Sequence, residues 1–182
     1  MALMALKVIG MTQECPLKYS PSELVVEKCD GLGAFCFDEK SVLAILEGKQ
    51  NSIKYCGTLD SYMVPFLRKI QDKNGEKSVC FQHDNASIHA SRYTTTHLRS
   101  LGIKTMNWPS KSPDLNPIEN VWDMLARAVY SNGRQFENVE ELKQMILSEW
   151  NNLSQNYFKT LVDSMPTRMV QVVFKRGAII DY

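Results

Sequence analysis

A strand–helix–strand pattern between residues 78 and 107 restricts the possible folds of this chain more than any other feature. Ser78 to Gln82 and Ile103 to Asn107 are short apolar runs typical of strands. Between them, Ser87 to Ser100 is typical of a helix, with Gly102 just beyond its end. Because two strands joined by a helix form the crossover unit of sheets that carry helices on their faces, the pattern predicts an α/β fold.

Two carboxylates stand next to the predicted ends of these elements. Asp84 follows the first strand of the unit. Glu119 occupies the third position of a later helix that Asn116 is predicted to cap and Pro117 to begin. Hard divalent cations such as Mg²⁺ bind oxygen ligands, usually one or two carboxylates together with substrate phosphates, so both acids are candidate ligands for phosphoryl transfer. Each acid also suits a purely local role in capping backbone amides.

The segment from Trp108 to Pro117 contains three prolines and is predicted to be an irregular loop. Its stiffness lowers the conformational entropy that is lost when Glu119 is held in one place. Within this loop the carboxylate of Asp114 is expected to accept hydrogen bonds from backbone NH groups. The helix that follows places apolar residues at helical spacing toward a core, namely Val121, Trp122, Leu125 and Val129.

Three sequence motifs of this chain are specific enough to indicate a protein family. HDNASIH, WPSKSPDLNPIENVW and LVDSMPTRM closely resemble the signatures of the mariner-type transposases of the Tc/mariner superfamily, and the resemblance runs from about Gly33 to Tyr182. It implies a DDE catalytic domain with an RNase H-like fold, in which a mixed sheet is flanked by helices. Asp84 matches the second acid of that family and Glu119 the third, with 34 residues between them.

In that family three acids hold two Mg²⁺ or Mn²⁺ ions that cut and rejoin DNA. The resemblance therefore implies metal-dependent strand cleavage and strand transfer in DNA transposition, with transposon ends as the DNA partner, a nuclear location and homodimerisation as an open option. It also implies supporting roles beside the metal ligands for Asn85, His89, Asp114, Asn116 and Asn120. A zinc site at His83 and His89 is disfavoured, because their spacing is unlike that of zinc ligands and no cysteine joins them.

The first acid of the family has no clear counterpart in this chain. In the family it precedes a hairpin that this chain matches from Gly33-Ala34-Phe35 to Glu47-Gly48. The single Asp before this hairpin, Asp30, lies only three residues from it and is a poor candidate. Asp38, in the stretch FDEKS, resembles the first-acid motif of the family and is therefore a candidate for the third acid of the site. The ungapped match, however, places Asp38 in the hairpin turn, where a solvent-exposed turn residue is expected.

A site without one of its three ligands should lose most of its activity, because two dications need a bridging carboxylate. We therefore predict a degenerate DDE transposase domain whose enzymatic activity is an open question. The alternative is a noncatalytic nucleic-acid-binding or interaction remnant of a transposase. A third hypothesis is a fragment that has no stable fold of its own.

Residues 1–28 are interpreted as an unassigned N-terminal segment and residues 29–182 as the DDE domain. The first strand of the family's sheet is therefore expected to be missing or replaced. Two apolar runs are candidates to pair in the vacated position, Leu24-Val25-Val26 and Met4 to Ile9. The apolar start lacks the basic region and cleavage site of a signal peptide, and no run is long enough to cross a bilayer, which predicts a soluble intracellular protein without a membrane partner.

The amino-acid composition restricts the class of protein but does not indicate its function. The 182 residues are 44% hydrophobic and 23% charged, which suits one globular domain. The net charge of +1 provides no global attraction for DNA, but Arg168, Lys175 and Arg176 are candidate phosphate contacts. The five cysteines include no CxxC pair, so neither a disulfide scaffold nor a zinc knuckle is predicted, and reduced, mostly buried thiols are expected.

Several residues predict where the other helices begin. Asn51 is expected to cap a helix from about residue 52 to 70 that Pro65 kinks or divides. Farther along the chain, the predicted starts are Asn138 together with Glu141, then Ser154 and Ser164.

Overall fold

A four-stranded mixed sheet with helices on both faces forms the centre of this protein. The structure, a computed structural model, describes the backbone of residues 2–11 and residues 29–75, 79–109 and 112–180. Its strands are β1 (Ala2–Met11), β2 (Cys29–Phe35), β3 (Ala44–Leu46) and β4 (Val79–His83). Its α-helices are α1 (Ser52–Thr58), α2 (Val64–Asn74), α3 (Arg92–Ser100), α4 (Pro117–Val129), α5 (Val139–Asn152) and α6 (Gln155–Phe174).

The strand order is β3-β2-β1-β4, so β1 occupies a central position between two neighbours. It pairs antiparallel with β2 and parallel with β4. Of the two candidate runs for this position, Met4 to Ile9 lies within β1, whereas Leu24-Val25-Val26 lies outside the described residues. The domain boundary at residue 29 stays a prediction, but the residues before it contribute a strand to the same sheet.

Two hydrophobic cores lie on opposite faces of the sheet. Leu32, Ala34 and Phe81 belong to the first core, which they share with residues of α1, α2 and α3. Cys29 and Phe35 belong to the second core, which is built mainly by α4, α5 and α6. Because neighbouring residues of a strand point to opposite faces, this division follows from the strand pattern, and the predicted α/β class is confirmed.

Pro65 changes the helix that contains it, although not by a simple kink. Five residues of π-helix, Leu59–Met63, separate α1 from α2. Proline has no NH group and its ring clashes with the carbonyl four residues earlier, so a continuous α-helix through Pro65 is disfavoured. The wider π turn accommodates both effects, and α2 then continues to Asn74, four residues beyond the predicted end.

Three predicted boundaries differ from the structure. The strand predicted at residues 103–107 is reduced to a single parallel bridge between Thr105 and Phe81, because this edge segment runs into Pro109, which has no NH group to extend the ladder. The helix predicted from Ser87 begins later, at Arg92. Ser164 does not start a helix but lies inside α6, where its hydroxyl donates to the carbonyl of Leu161 at 2.6 Å.

Four of the cysteines, Cys29, Cys36, Cys56 and Cys80, are buried free thiols, as predicted, and Cys15 lies outside the described residues. In the part of the chain that the structure describes, no helix combines the length and the apolar content that a membrane span requires.

Gly33 on β2 lets a tryptophan of α5 approach the sheet closely. A Cβ atom at this position would lie 2.8 Å from Cη2 of Trp150, a ring that is fully enclosed by the second core. The indole NH of Trp150 donates to the carbonyl of Ser41 at 2.9 Å, and its ring stacks on Trp122 with 5.4 Å between centroids. The ring therefore cannot shift without losing contacts on two sides.

We expect Gly33→Ala to destabilise the protein by about 1 to 3 kcal/mol, because the added methyl group overpacks a fixed ring. Gly57→Ala is the matched control, since Gly57 lies in α1 and, apart from its chain neighbours and the backbone of its own helix, no atom lies within 4 Å of the new Cβ. The control should be neutral or stabilising by up to about 1 kcal/mol through helix propensity. Urea unfolding measures both, and equal stability of the Gly33→Ala variant and the unchanged protein would contradict the packing argument.

Candidate active site at the end of strand β4

Asp84 directly follows β4, with 28% of its side chain exposed. Its Oδ1 atom accepts a hydrogen bond from the backbone NH of Ala86 at 3.0 Å and lies 2.5 Å from Nδ1 of His89. The carboxylate is therefore held by its own loop and by a side chain five residues later. This turn also explains why α3 begins only at Arg92, after the residues that wrap around Asp84.

His89 is buried in a cluster of rings beneath Asp84. Its ring lies 4.3 Å from that of Tyr55 and 5.5 Å from that of His83, measured between centroids. The hydroxyl of Tyr55 lies 3.4 Å from Nδ1 of His83. Burial lowers the pKa of His83 to about 4, with His89 acting in the same direction and Asp84 opposing it. Burial also raises the pKa of Tyr55 well above its usual value, so both groups are neutral at pH 7.

Glu119 lies in the first turn of α4, as predicted, and its NH donates to the carbonyl of Asn116 at 3.0 Å. Asn116 stands at the predicted cap position, but its side chain makes no capping hydrogen bond. Its Nδ2 lies 3.5 Å from Oε1 of Glu119, and its Oδ1 accepts from Nε2 of Gln82 at 3.0 Å. The role predicted for the Asn116 side chain, capping the helix, is therefore corrected: the amide bonds to a neighbouring strand instead.

The contact between Gln82 and Asn116 brings the two acids to the same region of the molecule. Gln82 lies two residues before Asp84 on β4, a separation of about 7 Å along a strand. Asn116 lies three residues before Glu119, one turn of helix. Both amides are buried, so the contact is shielded from water. Sequence reasoning missed Gln82, since a polar residue inside an apolar strand was the only signal.

The remaining supporting candidates also make identifiable contacts. Asn85 donates to the carbonyl of Trp108 at 2.6 Å and so ties the Asp84 loop to the proline-rich loop. The carboxylate of Asp114 accepts a backbone NH, as expected, but the donor is the distant Ile180 at 2.9 Å. Asn120 follows Glu119, and its Oδ1 accepts from Arg168 at 2.8 Å.

The prediction that Arg168 contacts phosphate at the surface is wrong, because this residue is only 1% exposed. Its three nitrogens donate to Ser164, to the carbonyl of Asp114 and to Asn120. Lys175 and Arg176, from the same predicted cluster, are exposed. Sequence reasoning grouped the three by charge and had no signal for the burial of one of them.

The structure does not bring Asp38 toward Asp84. Phe35 pairs with Ala5, which pairs in turn with Gln82, and the chain beyond Phe35 continues toward the level where β4 begins. Asp38 therefore lies past the far end of the sheet, in the predicted turn. There a hydrogen bond from Lys73, at 2.8 Å, lowers the pKa of its carboxyl group.

The central strand supplies no carboxylate beside Asp84. The last pair between β1 and β4 joins Leu6 to His83, so Lys7 is the residue of β1 next to the point where the chain leaves β4 at Asp84. No Asp or Glu occurs between residues 2 and 11. Across the described ranges, no group of three or more His, Cys, Asp or Glu side chains has the arrangement of a metal site.

The donor set at this site fits one hard divalent ion better than two. Asp84 and Glu119 offer the carboxylate oxygens that Mg²⁺ and Mn²⁺ prefer. A pair of ions about 4 Å apart needs a further carboxylate to bridge them, and the register provides Lys7 at the neighbouring level. Among the residues that the structure describes, the carboxylates at this site therefore do not fit a two-ion centre.

Comparison with known proteins decides the family. A model of the DDE superfamily endonuclease family matches residues 25–143. The chain belongs to this family. The transposable element Tc3 transposase of Caenorhabditis elegans is 37% identical over 150 residues, which is 82% of this chain and 44% of that protein. The chain spans about half the length of the curated relatives it matches.

Solved structures agree on the fold of this DDE domain. The crystal structure of the catalytic domain of Mos1 mariner transposase aligns with a TM-score of 0.80 at 19% identity, over 98% of this chain and 84% of that one. A Mos1 paired-end complex with the left transposon end aligns with a TM-score of 0.74, over 99% of this chain and 56% of that one. These structures confirm the predicted RNase H-like fold, and the match to the Tc3 transposase confirms the predicted Tc/mariner family.

The buried, neutral His83 predicts a specific pH dependence of stability. Its pKa is lower in the folded state than in the unfolded chain, so the unfolded chain binds a proton first as the pH falls below about 6.5. We expect the free energy of unfolding to drop by about 2 kcal/mol from this group between pH 7.5 and pH 5. Urea unfolding in buffers that contain EDTA measures this free energy at each pH.

Two variants make this test specific. His83→Gln should remove that part of the pH dependence, whereas His97→Gln, at a surface histidine paired with Asp60, should retain it. An unchanged pH profile in the His83→Gln variant would contradict the assignment.

Proposed function

We propose that this DDE domain keeps two of the three metal ligands of an active transposase, and that by itself it binds a divalent ion and DNA but cleaves DNA poorly. One observation carries the proposal: β1 lies in the central position of the sheet and has no acid, whereas the segments of Asp84 and Glu119 are joined by a buried hydrogen bond. Activity, substrate and partners of a whole transposase are part of this proposal, because the chain spans only part of its relatives.

Asp84 and Glu119 would hold one Mg²⁺ or Mn²⁺ ion. Such an ion polarises a phosphodiester and makes a bound water a better nucleophile. His89 and the NH of Ala86 hold the carboxylate of Asp84, and the amide of Asn116 lies 3.5 Å from that of Glu119, so both candidate ligands have neighbours that can orient them. Solved structures of Mos1 with Mn and with Mg support this choice of ions.

DNA is the proposed partner, because the matching Mos1 structures include complexes with a transposon end. With a net charge of +1, this domain depends on local cations for phosphate contacts. Lys175 and Arg176 are exposed just after the end of α6, and Arg127 and Arg134 are exposed in the last turn of α4 and beyond it, so these four are among the candidates. A nuclear location and a homodimer follow from the same family relationship and remain predictions.

We predict that Mn²⁺ binds the folded protein at one site that depends on both acids. Asp84→Asn or Glu119→Gln should each weaken binding at least about tenfold, because each removes a charged ligand while leaving a similar shape. Isothermal titration calorimetry with MnCl₂ measures the affinity, and Asp123→Asn, at an exposed acid of α4, is the matched control. Binding that is unaffected by both site variants would contradict the proposed metal centre.

The register of β1 predicts how activity can be restored. Lys7→Asp introduces an acid into β1 one residue beyond Leu6, which pairs with His83, so the new acid is on the strand next to the one that Asp84 follows. Nicking of supercoiled plasmid with Mg²⁺ should rise by at least roughly tenfold, since a second ion contributes several kcal/mol of charge stabilisation. Lys7→Asn is the control, because it removes the positive charge without adding a ligand.

The alternative, a noncatalytic nucleic-acid-binding remnant, predicts a different result in the same experiment. Lys7→Asp would then gain no cleavage, and DNA binding that weakens with salt would persist unchanged in Glu119→Gln. Efficient Mg²⁺-dependent nicking by the unsubstituted protein would contradict the proposal and its alternative together.

A further inference from the structure

A buried arginine of α6 contacts both ends of the segment that carries Glu119. Nη1 of Arg168 donates to the carbonyl of Asp114 at 2.8 Å, and Nη2 donates to Oδ1 of Asn120 at 2.8 Å. Its Nε donates to the hydroxyl of Ser164, one turn earlier on the same helix, at 3.1 Å. Asp114 and Asn120 bracket Asn116 and Glu119, so one planar guanidinium group spans the entrance of α4.

Two further hydrogen bonds join the C-terminal part of the chain to the same segment. The hydroxyl of Tyr157, near the start of α6, donates to the carbonyl of Asn120 at 2.9 Å. The NH of Ile180, beyond the end of α6, donates to the carboxylate of Asp114 at 2.9 Å. These contacts come from residues after the family match, which ends at residue 143.

We propose that Arg168 is a positioning residue for the metal centre, which acts through Asp114 and Asn120 to hold Glu119 in the orientation that a divalent ion requires. This inference rests on the metal centre proposed above. A guanidinium group is suited to the task because its donors have a fixed planar geometry and it stays charged when buried. A lysine at this position keeps the charge but cannot reach two separated acceptors with parallel hydrogen bonds.

A purely structural role for Arg168 makes a different prediction. If the side chain only fills and neutralises the space between α4 and α6, changing it alters stability and leaves the ion affinity of the folded protein unchanged. Residues that orient metal ligands, in contrast, typically change metal affinity 10- to 100-fold when they are replaced. Metal affinity measured on folded protein therefore separates the two roles.

The test measures Mn²⁺ affinity by calorimetry on the full chain, at a temperature where each variant is folded by circular dichroism. Arg168→Lys should weaken Mn²⁺ binding by about tenfold. Asn120→Leu, which removes the acceptor of Nη2, should weaken it to a similar degree. Because both changes break one network, the double variant should lose clearly less than the product of the two single effects. Arg68→Lys is the control, since Arg68 is exposed on α2.

Each outcome decides the inference. Affinity that depends on Asp84 and Glu119 but is unchanged in Arg168→Lys would overturn it and leave the proposed function intact. Absence of Mn²⁺ binding by the unsubstituted protein would overturn both. Single effects that multiply in the double variant would show that Arg168 does not act through Asn120. If Arg168→Lys fails to fold, Asn120→Leu decides alone, with a tenfold loss in support and no change against.

Discussion

The hydrogen bond between Gln82 and Asn116 is the interaction on which the candidate site depends. It joins two neutral amides in a buried position, where leaving either one unpaired is costly. Gln82 makes this bond as the fourth residue of β4, after three apolar residues, and the side chain of Asn116 accepts it instead of forming the usual capping bond to α4. The orientation of α4 at its first turn is therefore coupled to β4, and Glu119 is coupled to Asp84 through two residues that carry no charge.

The sheet shows why the fold and the chemistry of this domain can be separated. A central strand is required for the hydrogen-bond ladders on both of its sides, and any extended apolar segment can provide its backbone groups. Ala2–Met11 meets that requirement by pairing with both β2 and β4. A metal ligand at the level of Asp84 is a separate requirement that no acid of β1 meets. The RNase H-like architecture thus does not depend on an acid in the central strand.

Much of the fold follows from local sequence signals, and the exceptions have physical causes. The hairpin from Gly33, the caps at Asn51, Asn138 and Ser154, and the apolar face of α4 were all predictable, because each depends on residues close together in the chain. The π-helical segment before Pro65 was not, since proline predicts a disturbance without specifying its form. The burial of Arg168 depends on residues 48 and 54 positions away, which no local pattern encodes.

Asp84 and Glu119 are identified as metal-ligand candidates by the sequence motifs of the family. Local chemistry alone does not identify them, because an acid after a strand and an acid in a first helical turn are common capping residues. The hydrogen bond between the amides of Gln82 and Asn116 could not be predicted from the sequence, because it joins residues 34 positions apart.

Anomalous scattering from a crystal of the unsubstituted protein soaked in MnCl₂ shows directly whether Asp84 and Glu119 hold one ion. We predict one manganese peak within direct coordination distance, roughly 2.2 Å, of carboxylate oxygens from both residues. A manganese ion bound elsewhere, or two carboxylates that point away from one another, would contradict it.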